Sequence, residues 1–251
     1  MNIINYLKII LNKLFVMDGI WKTKKENEKE NKILSKLDLK EIILVDFPYN
    51  QYVREETKKN QIVLHHTVSG QGVDGDIKWW LMTAERIATA LIIQWDGKIF
   101  QCFSSKYWAY HLGAGNSNLD KHSIGIEIDS WGGLIEKNGL WYPAKWDDVK
   151  KKNIPNTNLK PVENVVIYDK QYRGFYGFEK YTDEQIESLR KLLIFFNEKY
   201  DIPLDYNEDM FTYSEKAING VSGIWSHSSY RQDKSDVHPQ KELIELLKSL
   251  K

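Results

Sequence analysis

The sequence predicts a layered α/β or α+β domain, and three observations carry that prediction. Short apolar runs bounded by polar turns recur through the middle of the chain, two dipeptides signal hairpins, and helix-period patterns appear between the strands and at the end. Residues 62–64 (IVL) followed by His65, His66 and Thr67 read as a buried strand ending in polar groups. Residues 76–83 (DIKWWLMT) read as a short helix. The runs 88–95 and 98–103 flank Asp96-Gly97, a two-residue hairpin signal. In SIGIEIDS, 123–130, isoleucines 124, 126 and 128 share one face of a strand and Gly125, Glu127 and Asp129 the other. Asn138-Gly139 marks a second hairpin. Thr182 with Gln185 forms a capping-box signature before a helix presenting Ile186, Leu189, Leu193 and Phe196, which should stop near Asp201 ahead of Pro203. Residues 239–250 form a last amphipathic helix on Leu243, Leu246, Leu247 and Leu250.

The 251 residues suit one large domain with appendages, and a 42% apolar fraction with 13% aromatics supports a real core. Basic and acidic residues balance at 35 each, which argues against a general nucleic-acid binder. The zero is a cancellation. Residues 1–40 hold nine lysines against five acids, so the rest of the chain is acidic by the same margin. That first stretch divides into an amphipathic segment (Ile3, Leu7, Ile10, Leu11 and Leu14 on one face) and a charged linker, KTKKENEKENKILSKLDLK. An N-terminal helical arm over 1–40 and a second unit over 41–251 follow. The segment 1–17 either docks on the domain or contacts a membrane surface. It lacks the uninterrupted apolar stretch and the cleavage site of a secretory signal, and no run approaches the roughly 20 apolar residues of a membrane span.

The single cysteine, Cys102, excludes an intramolecular disulfide framework and a multi-thiolate metal site, so any metal must be held by histidine and carboxylate. His65 and His66 are neighbours on a strand and point to opposite faces, so one at most joins a given site. Late in the chain, His227, Lys234, Asp236 and His238 lie within a short polar segment. Two histidines and a carboxylate would give zinc three protein ligands and leave a position for water. The spacing alone is a weak signal, because no two histidines stand four apart on a helix.

Four motifs in order sharpen this: IVLHHTVSG at 62–70, AYHLGAGN at 109–116, SIGIEID at 123–129, and SH…KSD at 226–236. Together they resemble the zinc-dependent N-acetylmuramoyl-L-alanine amidases of the type-2 amidase family, to which phage endolysins and the peptidoglycan recognition proteins are similar. The resemblance covers roughly 60–240. It implies an α/β fold with a mixed central β-sheet flanked by helices, and Zn²⁺ held by His65, His227 and Asp236. It also implies Glu127 as general base and Lys234 as stabiliser of the oxyanion, with His111 and Trp108 contacting substrate. Where the family commonly has Asp-Pro-Gly, this chain reads Asp236-Val237-His238-Pro239, which keeps His238 open as an alternative ligand. The implied partner is peptidoglycan, with no nucleic acid, and the oligomeric state is open.

The reaction implied is hydrolysis of the amide between N-acetylmuramic acid and L-alanine. The alternative is a non-catalytic peptidoglycan-binding module, which would be free to lose any of the five site residues. Without a clear cleavable signal, the chain is expected to be made in the cytoplasm and to act on the cell wall, in the host periplasm if it is a phage endolysin. Residues 131–180 exceed what the family needs between its glutamate strand and late helix. They are read as an inserted hairpin and loop overhanging the groove, serving either substrate selection or packing.

Overall fold

The computed structural model describes residues 42–45 and 47–250, so the N-terminal arm expected over 1–40 lies outside the described residues. Strands and helices follow in the order β1 (Ile42–Leu44), β2 (Gln61–His66), α1 (Asp74–Met82), β3 (Leu91–Ile93), β4 (Ile99–Gln101), α2 (Ser117–His122) and β5 (Ser123–Ile128). Five strands come next: β6 (Gly133–Lys137), β7 (Leu140–Asp147), β8 (Lys152–Pro155), β9 (Val165–Tyr172) and β10 (Phe175–Glu179). The chain closes with α3 (Asp183–Tyr200), α4 (Glu215–Ile218), β11 (Gly223–Ser226) and α5 (Lys241–Ser249), with 3-10 turns at Glu208–Phe211 and His227–Ser229.

The central sheet has six strands in the order β1-β4-β3-β5-β2-β11 and is mixed, with β3–β4 antiparallel and the other pairings parallel. Every residue of β2 is buried, and β5 is buried except at Glu127. Parallel strands covered on both faces read as continuous apolar runs, which explains IVL in β2, whereas β5 alternates isoleucine with Gly125 and Glu127. A hairpin forms at Asp96-Gly97, but as a three-residue loop, Trp95, Asp96 and Gly97, with Gly97 N donating to the Gln94 carbonyl at 2.8 Å and Gly97 taking φ +80°. A Cβ there would lie 2.9 Å from the Glu184 carbonyl oxygen, because the turn packs against the start of α3. Thr182 and Gln185 make the capping box, and Thr182 Oγ1 also donates to the Trp95 carbonyl at 2.7 Å. Helix α3 buries Leu189, Leu192, Leu193, Phe195 and Phe196 and ends at Asp201, whose φ of 58° breaks the helix. It packs on β3 and on α5, whose Leu243, Leu246 and Leu247 are buried.

Residues 131–180 differ from the expected hairpin and loop. They form a second, antiparallel sheet of five strands, β8-β7-β6-β10-β9. Asn138-Gly139 makes its predicted hairpin, with both residues at positive φ as a type I′ turn needs. Arg173-Gly174 turns β9 into β10 the same way, at φ 47° and 89°. This sheet reaches the body through aromatic side chains. Phe178 stacks on His238 with ring centroids 4.7 Å apart, and the Tyr168 hydroxyl lies 2.7 Å from His238 Nδ1.

Candidate metal centre

Three parallel strands bring the site together at their C-terminal ends, the usual place for a site in an open α/β sheet. The β2–β5 register pairs His65 with Glu127, so both side chains emerge on one face. The β11–β2 register pairs Ser226 with Leu64, so His227, the next residue, follows at the level of His65. Asp236 returns from the loop after the 3-10 turn, and its backbone carbonyl accepts from Ser228 N at 2.9 Å.

His65 Nδ1 and His227 Nδ1 are 3.0 Å apart, and Asp236 Oδ2 lies 2.9 Å from the second and 3.3 Å from the first. All three side chains are buried. Tetrahedral zinc with bonds of about 2.0–2.1 Å sets its ligands roughly 3.3–3.4 Å apart, so this donor set closes on a zinc ion with shifts of a few tenths of an ångström. Two facing ring nitrogens and a carboxylate form a poor hydrogen-bonding group by themselves but a good ligand set, and the residues present fit zinc. His227 Nε2 lies 2.8 Å from the Leu112 carbonyl oxygen, which can only accept. The ring therefore carries its proton there, and Nδ1 keeps its lone pair.

Burial pushes His65 down to about 4, reinforced by His227 and opposed by Asp236. A neutral imidazole is the form that binds metal. Burial alone would raise Asp236, but its contacts with the His227 and His65 rings hold it well below the usual carboxylate range. The triad thus presents two lone pairs and one negative charge.

Glu127 stands beside His65 with a different environment. Burial lifts its carboxyl well above the usual range, Asp236 and Asp76 add to that, and Lys234 opposes it. Its Oε2 is enclosed and has no hydrogen-bond partner within the protein. Lys234, on the loop leading to Asp236, is near enough for its charge to act on Glu127, His65 and His66.

The remaining candidates fall elsewhere. His66 points to the opposite face, with Nδ1 3.0 Å from the Tyr181 hydroxyl. His238 is enclosed between the sheets, its Nδ1 at Tyr168 and its Nε2 3.1 Å from the Glu179 carbonyl, so it has no place in the triad. His111 was expected to contact substrate, yet both its ring nitrogens are engaged, Nδ1 with His65 Nε2 at 2.9 Å and Nε2 with Ser123 Oγ at 2.9 Å. It stands behind the ligand set. Trp108 is 5% exposed and donates its indole N–H to Glu55 Oε2 at 3.1 Å, while neighbouring Tyr110 is 41% exposed. Ser123 and the Leu112 carbonyl were missed by sequence reasoning, since a serine starting a strand and a backbone oxygen carry no chemical signature.

A family model described as N-acetylmuramoyl-L-alanine amidase matches residues 55–239. Solved structures similar to this chain include a mutant endolysin from Bacillus subtilis, at 15% identity and TM-score 0.47 over 83% of this chain and 97% of that one. The N-acetylmuramoyl-L-alanine amidase LysC from Clostridium intestinale URNW is 15% identical, with TM-score 0.43 over 83% and 95% of the two chains. The catalytic domain of XlyA is 14% identical, with TM-score 0.44 over 78% and 90%. No curated protein matches the sequence.

Proposed function

The chain belongs to the N-acetylmuramoyl-L-alanine amidase family, and from that premise we propose that it cleaves the amide joining N-acetylmuramic acid to L-alanine in peptidoglycan. The observation that carries the reading is the convergence of His65, His227 and Asp236 at the strand ends, with Glu127 in register beside His65. The two histidines and the aspartate would hold zinc. When bound, zinc supplies Lewis acidity, lowering the pKa of a water toward about 7 and drawing charge from a carbonyl oxygen.

The protein's own groups do the rest. Glu127, free of internal hydrogen bonds at Oε2, takes the proton of the attacking water and gives it to the nitrogen of the departing L-alanine. Its burial suits the second half of that task, since a carboxyl with a raised pKa keeps a proton long enough to deliver it. Lys234 sets a positive charge against the oxygen that becomes negative. The enclosed strand ends limit competing water around these groups.

Action on the cell wall, in the host periplasm for a phage-type enzyme, follows from this substrate. Contact of residues 1–17 with a membrane surface rests on their amphipathic pattern. The reading is tested by incubating purified peptidoglycan with zinc-loaded, chelator-stripped and zinc-restored protein. Solubilisation of stem peptides should vanish on stripping and return with zinc. Stoichiometric zinc without any release would mark a binding module instead.

A further inference from the structure

The ring nitrogens behind the triad form a chain whose proton positions follow one from another. As a ligand through Nδ1, His65 carries its proton on Nε2, which faces His111 Nδ1 at 2.9 Å. His111 therefore carries its proton on Nε2 and offers a lone pair at Nδ1. That Nε2 proton lies toward Ser123 Oγ at 2.9 Å, and the Ser123 hydroxyl keeps its own hydrogen for the Asp120 carbonyl at 3.4 Å. One residue on from His111, the Leu112 carbonyl imposes on His227 the same tautomer as His65. Leu112 N donates to Asp120 Oδ1 at 3.0 Å, which fixes the peptide that makes both contacts.

We propose that the dipeptide His111–Leu112 positions both histidine ligands, His111 setting the His65 tautomer through a relay that ends on Ser123 and the Leu112 carbonyl setting that of His227. This rests on the zinc reading above and names the residues that make the triad ready for metal. The relay also accounts for Gly125, which lies on β5 beside His111. A Cβ there would meet His111 Nδ1 at 3.0 Å and Thr89 Cγ2 at 2.8 Å, so glycine is what lets the imidazole lie against the strand. His111 is a positioning residue in this arrangement: it reaches the reaction only through the orientation and lone pair of His65. Hydrogen-bond partners of ligand histidines are typically worth about 10- to 100-fold in metal affinity.

The test is ¹⁵N-histidine NMR of the zinc-loaded full chain, with zinc dissociation constants measured by chelator competition. His111 should carry its proton on Nε2, and the His65 Nε2–H should exchange slowly. Zinc binding should weaken about 10- to 100-fold in His111→Leu. His111→Gln, whose amide oxygen can accept from His65, should recover part of that loss. Ser123→Ala removes the end of the relay with little change in packing and should also weaken zinc, while Ser123→Thr restores it. This pair answers the question even if His111→Leu fails to fold. A His111 proton on Nδ1, or a wild-type dissociation constant in Ser123→Ala, overturns the relay while leaving zinc binding by the wild-type chain intact. A wild-type chain that takes up no zinc overturns the metal reading itself.

Discussion

Glu127 and Asp236 are both acidic, both enclosed and near each other, and they are set to opposite tasks by what surrounds them. Asp236 faces two imidazoles and stays ionised as a ligand; Glu127 is buried, near the charges of Asp236 and Asp76, and holds a proton more readily. Glu127→Gln keeps the shape but cannot accept a proton. It should retain zinc and lose about 10²- to 10⁴-fold in turnover, measured on purified peptidoglycan beside a metal assay. Asp236→Ala should instead weaken zinc itself, and undiminished metal content would remove it from the ligand set. Lys234→Ala should keep zinc and lower kcat by roughly 10²-fold, an effect confined to turnover. The ligand histidines were legible because strand alternation separates His65 from His66 and the motif order selects one. His111 was legible as a site residue, but not its task. A histidine in a glycine-bounded loop reads the same whether it faces the groove or a ligand, and only the contacts to His65 and Ser123 decide.

At the scale of elements, the second sheet acts on the metal loop as a buttress. β9 contributes Tyr168 to His238 Nδ1 and sets the Tyr172 hydroxyl 3.2 Å from the Val237 carbonyl, while β10 stacks Phe178 on the His238 ring. These contacts fall on the two residues after Asp236. Tyr168→Phe removes a part-buried hydrogen bond and leaves the buried His238 Nδ1 without its donor, at an expected cost of about 1–3 kcal/mol. Denaturant unfolding of the metal-free protein would register that loss, and an unchanged midpoint would show that the sheet does not brace the loop. The β6–β7 hairpin was legible from Asn138-Gly139, and the capped α3 from Thr182 and Gln185. The β9–β10 hairpin was not, because Arg173 occupies the turn position where asparagine or aspartate usually gives the signal, and YDKQY exposes charged side chains without a clean apolar stripe. α2 is only six residues long and too polar to show a helical face.

For the whole molecule, buried carboxyls give stability a definite pH dependence. Burial raises Glu179 to about 7, and Asp76, Asp120 and Asp129 to about 6. Each binds its proton more tightly folded than unfolded. The resulting stabilisation is therefore complete below the ordinary carboxylate range and is lost as pH rises through 6 to 7. His65 and His66, pushed down to about 4 by burial, oppose it as pH falls below about 6.5, so the carboxyl contribution is read from a single substitution. Glu179→Gln should flatten the part of the metal-free protein's slope of stability against pH between about pH 4.5 and 7, worth on the order of 3 kcal/mol at most. A slope unchanged by Glu179→Gln would contradict the assignment. Zinc acts in the other direction at neutral pH, since binding the folded state alone adds about 2.7 kcal/mol at a hundredfold excess over Kd.

The net charge of zero combines a basic first 40 residues with an acidic remainder, and the ligand triad lies in the acidic part. A single measurement bears most directly on what that part does: mass spectrometry with amino-terminal analysis of peptidoglycan digested by the zinc-loaded chain. The products should be intact glycan strands and stem peptides with new L-alanine amino termini, absent after chelation and from Glu127→Gln. New reducing sugar ends, cleavage inside the stem peptide, or an undigested wall despite bound zinc would contradict amide hydrolysis at this site.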